Sequence, residues 1–544
     1  VRRQDLGLDL IFFMALALLG WAFTSGIEHF LDIGLWDEGN YLLCGISIPT
    51  WGLPGAPTSP LYAAWYYVLS IFKPDTVALY YLNYQLVTVG LALTFFVWLR
   101  VKQVSRTLSY CFSIGILIAH NNFFTAPKAS HLTVIVLLVG FIVASVLDNY
   151  LRAVAATCVF ALLASLLRPE FFLSYLLLGG FLAFHSTKAI LKARSPRPGI
   201  PFACVAIAGV VMVASLGSPW SVTRSWGAFG QHYAYNWVNF HNDPRNPWTN
   251  WEAIVKSEFG NVSSPIGAIA ANPRGVAHHV LHNIREVPEF LGELVWPSCI
   301  RNRPAGIVVI LALGLALITG LLLMDRDSFA RWWSRVRENA RELHTVGLLL
   351  VATLVPSAIS IALIFPEIHY LIVIFTLAGA ACLVLLFRNA DHSERLGFPS
   401  LAALLLIPAM TLQPLATSWQ ANPEPNLRTV QAVRSLGIIG EVQMLEAEGG
   451  LATYVGRNFH FVAEYEKNEP FNEFVKRRSI NMIIVSTALR ESTQLAKDPE
   501  WISFIEDPSR HGFTSLEIPG VPDRRILVRS DVLEAARLAR ESSR

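Results

Sequence analysis

The stretch LIFFMALALLGWAFTSG, Leu10 to Gly26, carries no charged side chain and is close to the length that crosses a bilayer as a helix. It follows Arg2 and Arg3, as the apolar core of a secretion signal would, but no small-residue cleavage site follows it. The expectation is therefore a retained membrane span. Hydrophobic residues make up 53% of the 544-residue chain and charged residues 15%, against about a quarter in an ordinary soluble protein. That composition belongs to a polytopic α-helical membrane protein. A net charge of +3 is small for such a chain and excludes nucleic acid as the expected partner.

Apolar runs able to cross or nearly cross a bilayer lie near residues 10–27, 77–99, 107–120, 132–147, 152–167, 170–187, 201–217, 304–324, 345–365, 369–387 and 398–415. The expected fold is thus a bundle of about eleven spans over 1–415, with long loops at 28–76 and 218–303. If the amino terminus is cytoplasmic, the alternate loops on that side hold Arg100, Lys102 and Arg106, then Arg152, then Lys188, Lys192, Arg194 and Arg197, then Arg326 to Arg341, then Arg388 and Arg395. This is the positive-inside pattern. It puts the long polar loops on the outer face.

Trp36-Asp37-Glu38-Gly39-Asn40-Tyr41 then falls just outside the first span. A carboxylate near hydrocarbon is costly unless paired, hydrated or used, so an acidic pair at this level reads as a functional site. The segment Pro60–Phe72, with Tyr62, Trp65, Tyr66 and Tyr67, suits a helix lying in the membrane surface. The loop 218–303 interleaves Trp220, Trp226, Trp237, Trp248 and Trp251 with His, Asn and Arg, as a folded lid at headgroup level would. Within it, His278, His279 and His282 have helix-compatible metal spacing but lack the glutamate of the zinc protease motif, so an amphipathic helix is the better reading.

Beyond Pro414 the chain mixes charged and apolar residues without a span. Runs at Leu451–Val455, Met482–Ser486 and Ile526–Arg529 read as strands, and Pro470–Arg478 and Asp531–Ser543 as helices. The expectation is an extramembrane α/β domain at 416–544, facing the periplasm. Cys111, Cys158, Cys204 and Cys382 sit in apolar runs as small hydrophobes, whereas Cys44 and Cys299 lie in outer segments where they could pair.

Four features give the chain a family resemblance. They are Asp37-Glu38 with Tyr41 in the first outer loop, Ser59-Pro60-Leu61-Tyr62 opening a surface helix, Arg168-Pro169-Glu170 between two spans, and His369-Tyr370-Leu371 opening a late span. In order, side and spacing the chain resembles the membrane GT-C glycosyltransferases that use lipid-linked sugars, the group of the protein O-mannosyltransferases and aminoarabinose transferases. The resemblance covers the membrane portion and an outer C-terminal domain. It implies a sugar moved from a polyprenyl-phosphate donor to an acceptor hydroxyl on the outer face of a bacterial inner membrane. The donor would be a hexosyl or pentosyl lipid, the acceptor a glycolipid, glycan or protein, and membrane lipids the surroundings. No metal or other cofactor is implied, since the Asp-x-Asp of metal-dependent oligosaccharyl transferases does not occur in the first outer loop.

By that resemblance Asp37 is the catalytic base and Glu38 its orienting partner. Tyr41, Lys128, Arg168, Glu170, His369 and Tyr370 would bind substrate, the cations meeting the phosphate. The chain departs from the family pattern at Asn40, where an arginine is usual, and at His369-Tyr370, where Arg-Tyr is usual. Phosphate neutralisation would be shared differently, because histidine is charged only when protonated. Two other readings stay open: a ligase or polymerase of surface polysaccharide, and a lipid or glycan transporter of the flippase kind. A transporter would place ionisable groups at mid-membrane on broken helices, and the mid-span positions here are almost free of charge.

Overall fold

The computed structural model describes residues 3–29, 31–119, 122–123, 126–220, 222–295, 326–342, 344–388 and 425–542. Five helices are long and apolar enough to cross a membrane: Leu6–His29, Thr76–Val101, Ala129–Val146, Arg197–Leu216 and Ile368–Phe387. The helices at Arg106–Ile118, Tyr150–Ser165 and Leu350–Leu363 are apolar but shorter. The expected run 170–187 lies in a helix, Phe171–Ala193, whose second half carries His185, Lys188 and Lys192. Eleven spans are therefore not reached among the described residues, and the expected spans 304–324 and 398–415 lie outside them. Cys299 is outside them too, and with it the pairing with Cys44.

The chain divides into two compact units, neither contiguous in sequence. One comprises Val1–Ser25, Pro54–Tyr62 and Tyr84–Ser418; the other comprises Gly26–Leu53, Ala63–Asn83 and Trp419–Arg544. The helices are numbered in chain order: α1 (Arg3–Thr24), α2 (Asp37–Ile46), α3 (Pro60–Phe72), α4 (Thr76–Val101), α5 (Arg106–Ile118), α6 (Ala129–Val146), α7 (Tyr150–Ser165), α8 (Phe171–Ala193), α9 (Ile200–Leu216), α10 (Val222–His241), α11 (Pro247–Phe259), α12 (Pro265–Ala271), α13 (Pro273–Val295), α14 (Arg326–Glu342), α15 (His344–Leu363), α16 (Ile368–Phe387), α17 (Pro425–Ser435) and α18 (Leu451–Val455).

In the larger unit, α6, α7, α8 and α16 close around Leu137, Leu138, Phe141, Cys158, Leu178, Leu182 and Leu377. Gly140 of α6 lies under Phe160 of α7, where a methyl group would come within 2.6 Å of the Phe160 Cβ. The expected outer loop is a helical segment, α10 to α13, with its own core of Phe229, Tyr233, Val255, Phe259, Ala268 and Val276. Trp226, Trp237 and Trp251 pack against that core rather than standing out as anchors, while Trp220 and Trp248 are exposed.

The smaller unit holds a five-stranded sheet of order β2-β1-β3-β5-β4, from β1 (Val442–Glu446), β2 (Phe459–Ala463), β3 (Met482–Val485), β4 (Phe513–Glu517) and β5 (Arg525–Arg529). β1 runs parallel to β2 and β3, and β5 antiparallel to β3 and β4. The expected strands at 482–486 and 526–529 are there, as are helices at Phe471–Arg477 and Ser530–Ser542. The expected strand Leu451–Val455 is instead the helix α18. Its first turn is capped from outside: the Glu446 carboxylate accepts the N–H groups of Gly450, Leu451 and Ala452 at 3.1 to 3.3 Å, satisfying donors that a helix start leaves unpaired. Gly449 and Gly450, both at positive φ, make the turn that permits it.

Candidate functional site

The residues expected to form the site divide between the units, Asp37, Glu38 and Tyr41 in the smaller and Lys128, Arg168, Glu170, His369 and Tyr370 in the larger.

Asp37 and Glu38 form the first turn of α2, not a loop. Negative charge is favoured there by the helix dipole. The two carboxylates differ sharply in setting. Asp37 is exposed, whereas Glu38 is 1% exposed and accepts hydrogen bonds from the Tyr66 hydroxyl and, at 3.3 Å, from Asn83 Nδ2. The same Asn83 amide donates to Tyr66 at 2.9 Å, and its Oδ1 accepts from Trp65 Nε1 at 2.8 Å, which fixes the amide's orientation. Thus α3 supplies a phenol and an indole, and α4 an amide, to hold one carboxylate. Tyr41 is buried one turn further along α2. Gly45 lets α2 approach α3, since a Cβ there would meet Tyr66 Cβ at 2.5 Å and the Ala63 carbonyl at 2.8 Å. The expectation of interfacial tyrosines on 60–72 is corrected for Tyr62 and Tyr66, which are fully buried, whereas Tyr67 is exposed.

Within the smaller unit, residues beyond 425 hold the segment leading into α2. The Asp32 carboxylate accepts from the Asn426 and Leu427 N–H groups at 2.9 and 2.8 Å, at the start of α17. Trp36 N donates to the Gly449 carbonyl at 2.7 Å, and the Tyr454 hydroxyl to the Gly34 carbonyl at 2.6 Å. Gly39 and Gly450 meet closely, a Cβ on Gly39 lying 3.4 Å from the Gly450 Cα. Burial pushes the Glu446 carboxyl behind this contact up to about 7, against the N–H groups of Ala452, Leu451 and Gly450, which favour its charge.

In the larger unit, the turn between α7 and α8 presents Arg168, 7% exposed, with Nε 2.9 Å from Glu170 Oε1 and its guanidinium 4.4 Å from the centre of the Tyr370 ring. Glu367, just before α16, pairs with His369 Nδ1 at 2.7 Å and stands 4.0 Å from His232 Nε2. Burial raises the Glu367 carboxyl, but the His369 hydrogen bond and the charges of His369, His232 and Arg168 outweigh it and take it down to about 2. Arg168, Glu170, His369 and Tyr370 are therefore brought together. Lys128 is fully buried at the start of α6; its Nζ donates to the Asn122 carbonyl and lies 3.9 Å from the Tyr84 ring centre.

Sequence reasoning missed Tyr66, Asn83 and Trp65 as holders of Glu38, and Glu367 and His232 as partners of His369. Glu367 carried a signal, two residues before His369. The others carried none, because their partners are distant in the chain.

Of the three histidines on α13, His279 is buried and accepts from Asn236 Nδ2 at 2.9 Å, while His278 and His282 lie against Phe240 with ring centres 4.4 and 4.8 Å away.

No family model matches the chain, and no curated protein matches it either. Two crystal structures of ArnT from Cupriavidus metallidurans, one in the apo state and one bound to undecaprenyl phosphate, are similar to it. The identities are 11% and 12%, each alignment covers 96% of this chain and 98% of that one, and the TM-score is 0.40 in both.

Proposed function

We propose that this protein is a metal-independent, inverting glycosyltransferase that moves a hexosyl or pentosyl group from a polyprenyl-phosphate donor to an acceptor hydroxyl, at the outer face of a bacterial inner membrane. One observation carries the reading. An exposed carboxylate, Asp37, sits at a helix N-terminus beside a buried carboxylate, Glu38, that is fixed by Tyr66 and Asn83. A base needs access to its substrate and a fixed position. Asp37 has the first, and the second comes through its neighbour on α2.

In the reaction, Asp37 takes the proton of the acceptor hydroxyl as that oxygen attacks the anomeric carbon. The bond from that carbon to the phosphate oxygen breaks, and polyprenyl phosphate leaves with the electron pair. Arg168 is the residue suited to the leaving phosphate, being nearly buried and rigidly aimed by Glu170 and Tyr370. A fixed cation of this kind stabilises charge as it develops. His369 adds positive charge when protonated, with Glu367 holding its ring. Tyr41, Glu170 and Tyr370 would shape the substrate surface, and Lys128 the ends of α4 and α6. The outer-face orientation follows from basic residues in alternate loops.

The test is a transfer assay on the purified chain in lipid nanodiscs, with a panel of polyprenyl-phosphate sugars and envelope glycolipids as acceptors, read by mass spectrometry. A glycosylated acceptor formed by the natural chain and not by Asp37→Asn supports the reading. Equal product from both proteins overturns it.

A further inference from the structure

The apolar helix α16 carries His369 at its start and ends at Phe387, and its 20 residues rise about 30 Å, so Arg388 stands a full span away from Arg168 and His369. Cations gather at that far end. Val104, just beyond α4, forms a backbone bridge with Arg388, and the Arg100 guanidinium donates to the Val104 carbonyl. Arg100 and Arg106 are matched from α1, where Asp9 Oδ1 accepts from the Nε of each, at 2.9 and 2.8 Å. Lys102 is not matched. It is half-buried, and its ammonium has no hydrogen-bond or ion-pair partner among the described residues. Burial and the charge of Arg388 draw it down to about 8.

A half-buried ammonium beside a guanidinium is costly unless an anion joins them. The surroundings indicate which anion. Helix α14 lies across the end of α16: Trp332 Nε1 donates to the Leu386 carbonyl at 3.3 Å, and Asn339 Nδ2 to the Leu385 and Arg388 carbonyls at 3.1 and 3.4 Å. These bonds occupy carbonyls that a helix end leaves open. Trp333 of α14 is exposed, with the Arg337 guanidinium 5.7 Å from its ring centre. An amphipathic helix that exposes tryptophan and arginine across the end of an apolar span belongs at headgroup depth. The anions at that depth are phospholipid phosphates, and basic pockets between span ends hold them.

We propose that Lys102 and Arg388 form the headgroup site of one anionic phospholipid, in the leaflet opposite Arg168 and His369. The phosphodiester joins the ammonium and the guanidinium, while Asp9 keeps Arg100 and Arg106 in place behind them. This site is independent of the function proposed above.

The experiment is native mass spectrometry of the full chain released from nanodiscs, loaded in turn with phosphatidylglycerol and with phosphatidylcholine of the same acyl chains. The natural chain should retain phosphatidylglycerol at least fivefold more than phosphatidylcholine. Lys102→Gln should lower that retention at least threefold and leave the phosphatidylcholine signal unchanged, which separates a lost site from a lost fold. Lys102→Arg, which keeps the charge, should retain the lipid. Arg168→Ala, at the other end of the bundle, should hold phosphatidylglycerol like the natural chain, so a lipid lodged at the proposed donor-phosphate site is told apart. Inorganic phosphate in large excess should not displace it. Equal retention of the two lipids, phosphatidylglycerol retention unchanged in Lys102→Gln or lost in Arg168→Ala, or displacement by inorganic phosphate would each overturn the site.

Discussion

Glu38 is held by a phenol and an amide, whereas Arg168 is held by a carboxylate and an aromatic face. Around Glu38 the protein spends neutral donors on a buried negative charge and leaves the adjacent Asp37 in the open. Arg168 and His369 each face a carboxylate, Glu170 or Glu367. The difference teaches what each region is ready to do. In the proposed reaction Asp37, next to an oriented neighbour, would be the group that takes the proton. In the same reaction the donor phosphate would meet an arginine already paired with a carboxylate, not a bare charge.

Asp37→Asn tests the first half of that contrast most severely. It removes the negative charge at nearly constant size and should lower the transfer rate by 10²- to 10⁴-fold, the usual contribution of a general base. Folding and donor binding should persist, and Glu38→Gln should cost less. If Glu38→Gln is the dead variant and Asp37→Asn keeps more than about a tenth of the rate, the roles within the pair are exchanged.

Arg168→Ala tests the second half. Loss of a charge-assisted hydrogen bond to the donor phosphate should weaken donor binding by about 1.5 to 3 kcal/mol. Titration calorimetry with polyprenyl phosphate measures it, and Glu170→Gln should instead leave Arg168 available and cost much less. An unchanged affinity in Arg168→Ala would make the arginine a headgroup anchor.

The neutral network is the subject of a third experiment. Tyr66→Phe takes away the phenol that donates to Glu38, and should lower stability by about 1.5 to 3 kcal/mol as a hydrogen bond to a buried carboxylate is lost. Its transfer rate should fall severalfold through misplacement of α2, with KM for the donor unchanged. A variant as active as the natural chain would show that Glu38 needs no fixing.

The smallest effect is one of pH, and the two regions should respond in opposite windows. Glu446 sits at about 7 in the fold, above its unfolded value, so its contribution is full below about 4.5 and is lost as pH rises towards 7. Glu367, held down to about 2, contributes above about 4.5 and loses its effect as pH falls towards 2. Each slope is at most about 1.4 kcal/mol per pH unit. Hydrogen exchange at the amides of Gly450, Leu451 and Ala452 should therefore lose protection between pH 5 and 7 beyond the intrinsic rate change, and Glu446→Gln should flatten that trend. The same trend in Glu446→Gln would assign it to another group.

These contrasts mark how far the sequence could be read. The apolar runs announce most of the long helices because a span is encoded in one continuous window, and α3 begins and ends where its aromatic run does. Arg168-Pro169-Glu170 and His369-Tyr370 could be singled out because the charged residues stand against apolar spans. Leu451–Val455 could not be read correctly. All five side chains are buried, so no helical face alternates with a polar one, and the cap that makes it a helix comes from Glu446 on the preceding strand. The partners of Glu38 were equally invisible, since Tyr66 and Asn83 stand 28 and 45 residues away. An aromatic run looks the same whether its hydroxyls meet lipid headgroups or a buried carboxylate.

The clasp between Asp32 and the start of α17 joins residues 394 positions apart in the chain. At a synthesis rate of about 5 to 20 residues per second, the acidic pair would leave the ribosome about 20 to 80 s before the segment that holds it. During that interval Glu38 has its neighbours on α3 and α4, but the lead-in to α2 has no α17 to bind. A nascent chain at that stage would hold the Glu38 network but not the clasp on Asp32. In the proposed reaction, a chain truncated just before Pro425 should therefore transfer less sugar than the natural one, because the lead-in to α2 loses the contact that holds it.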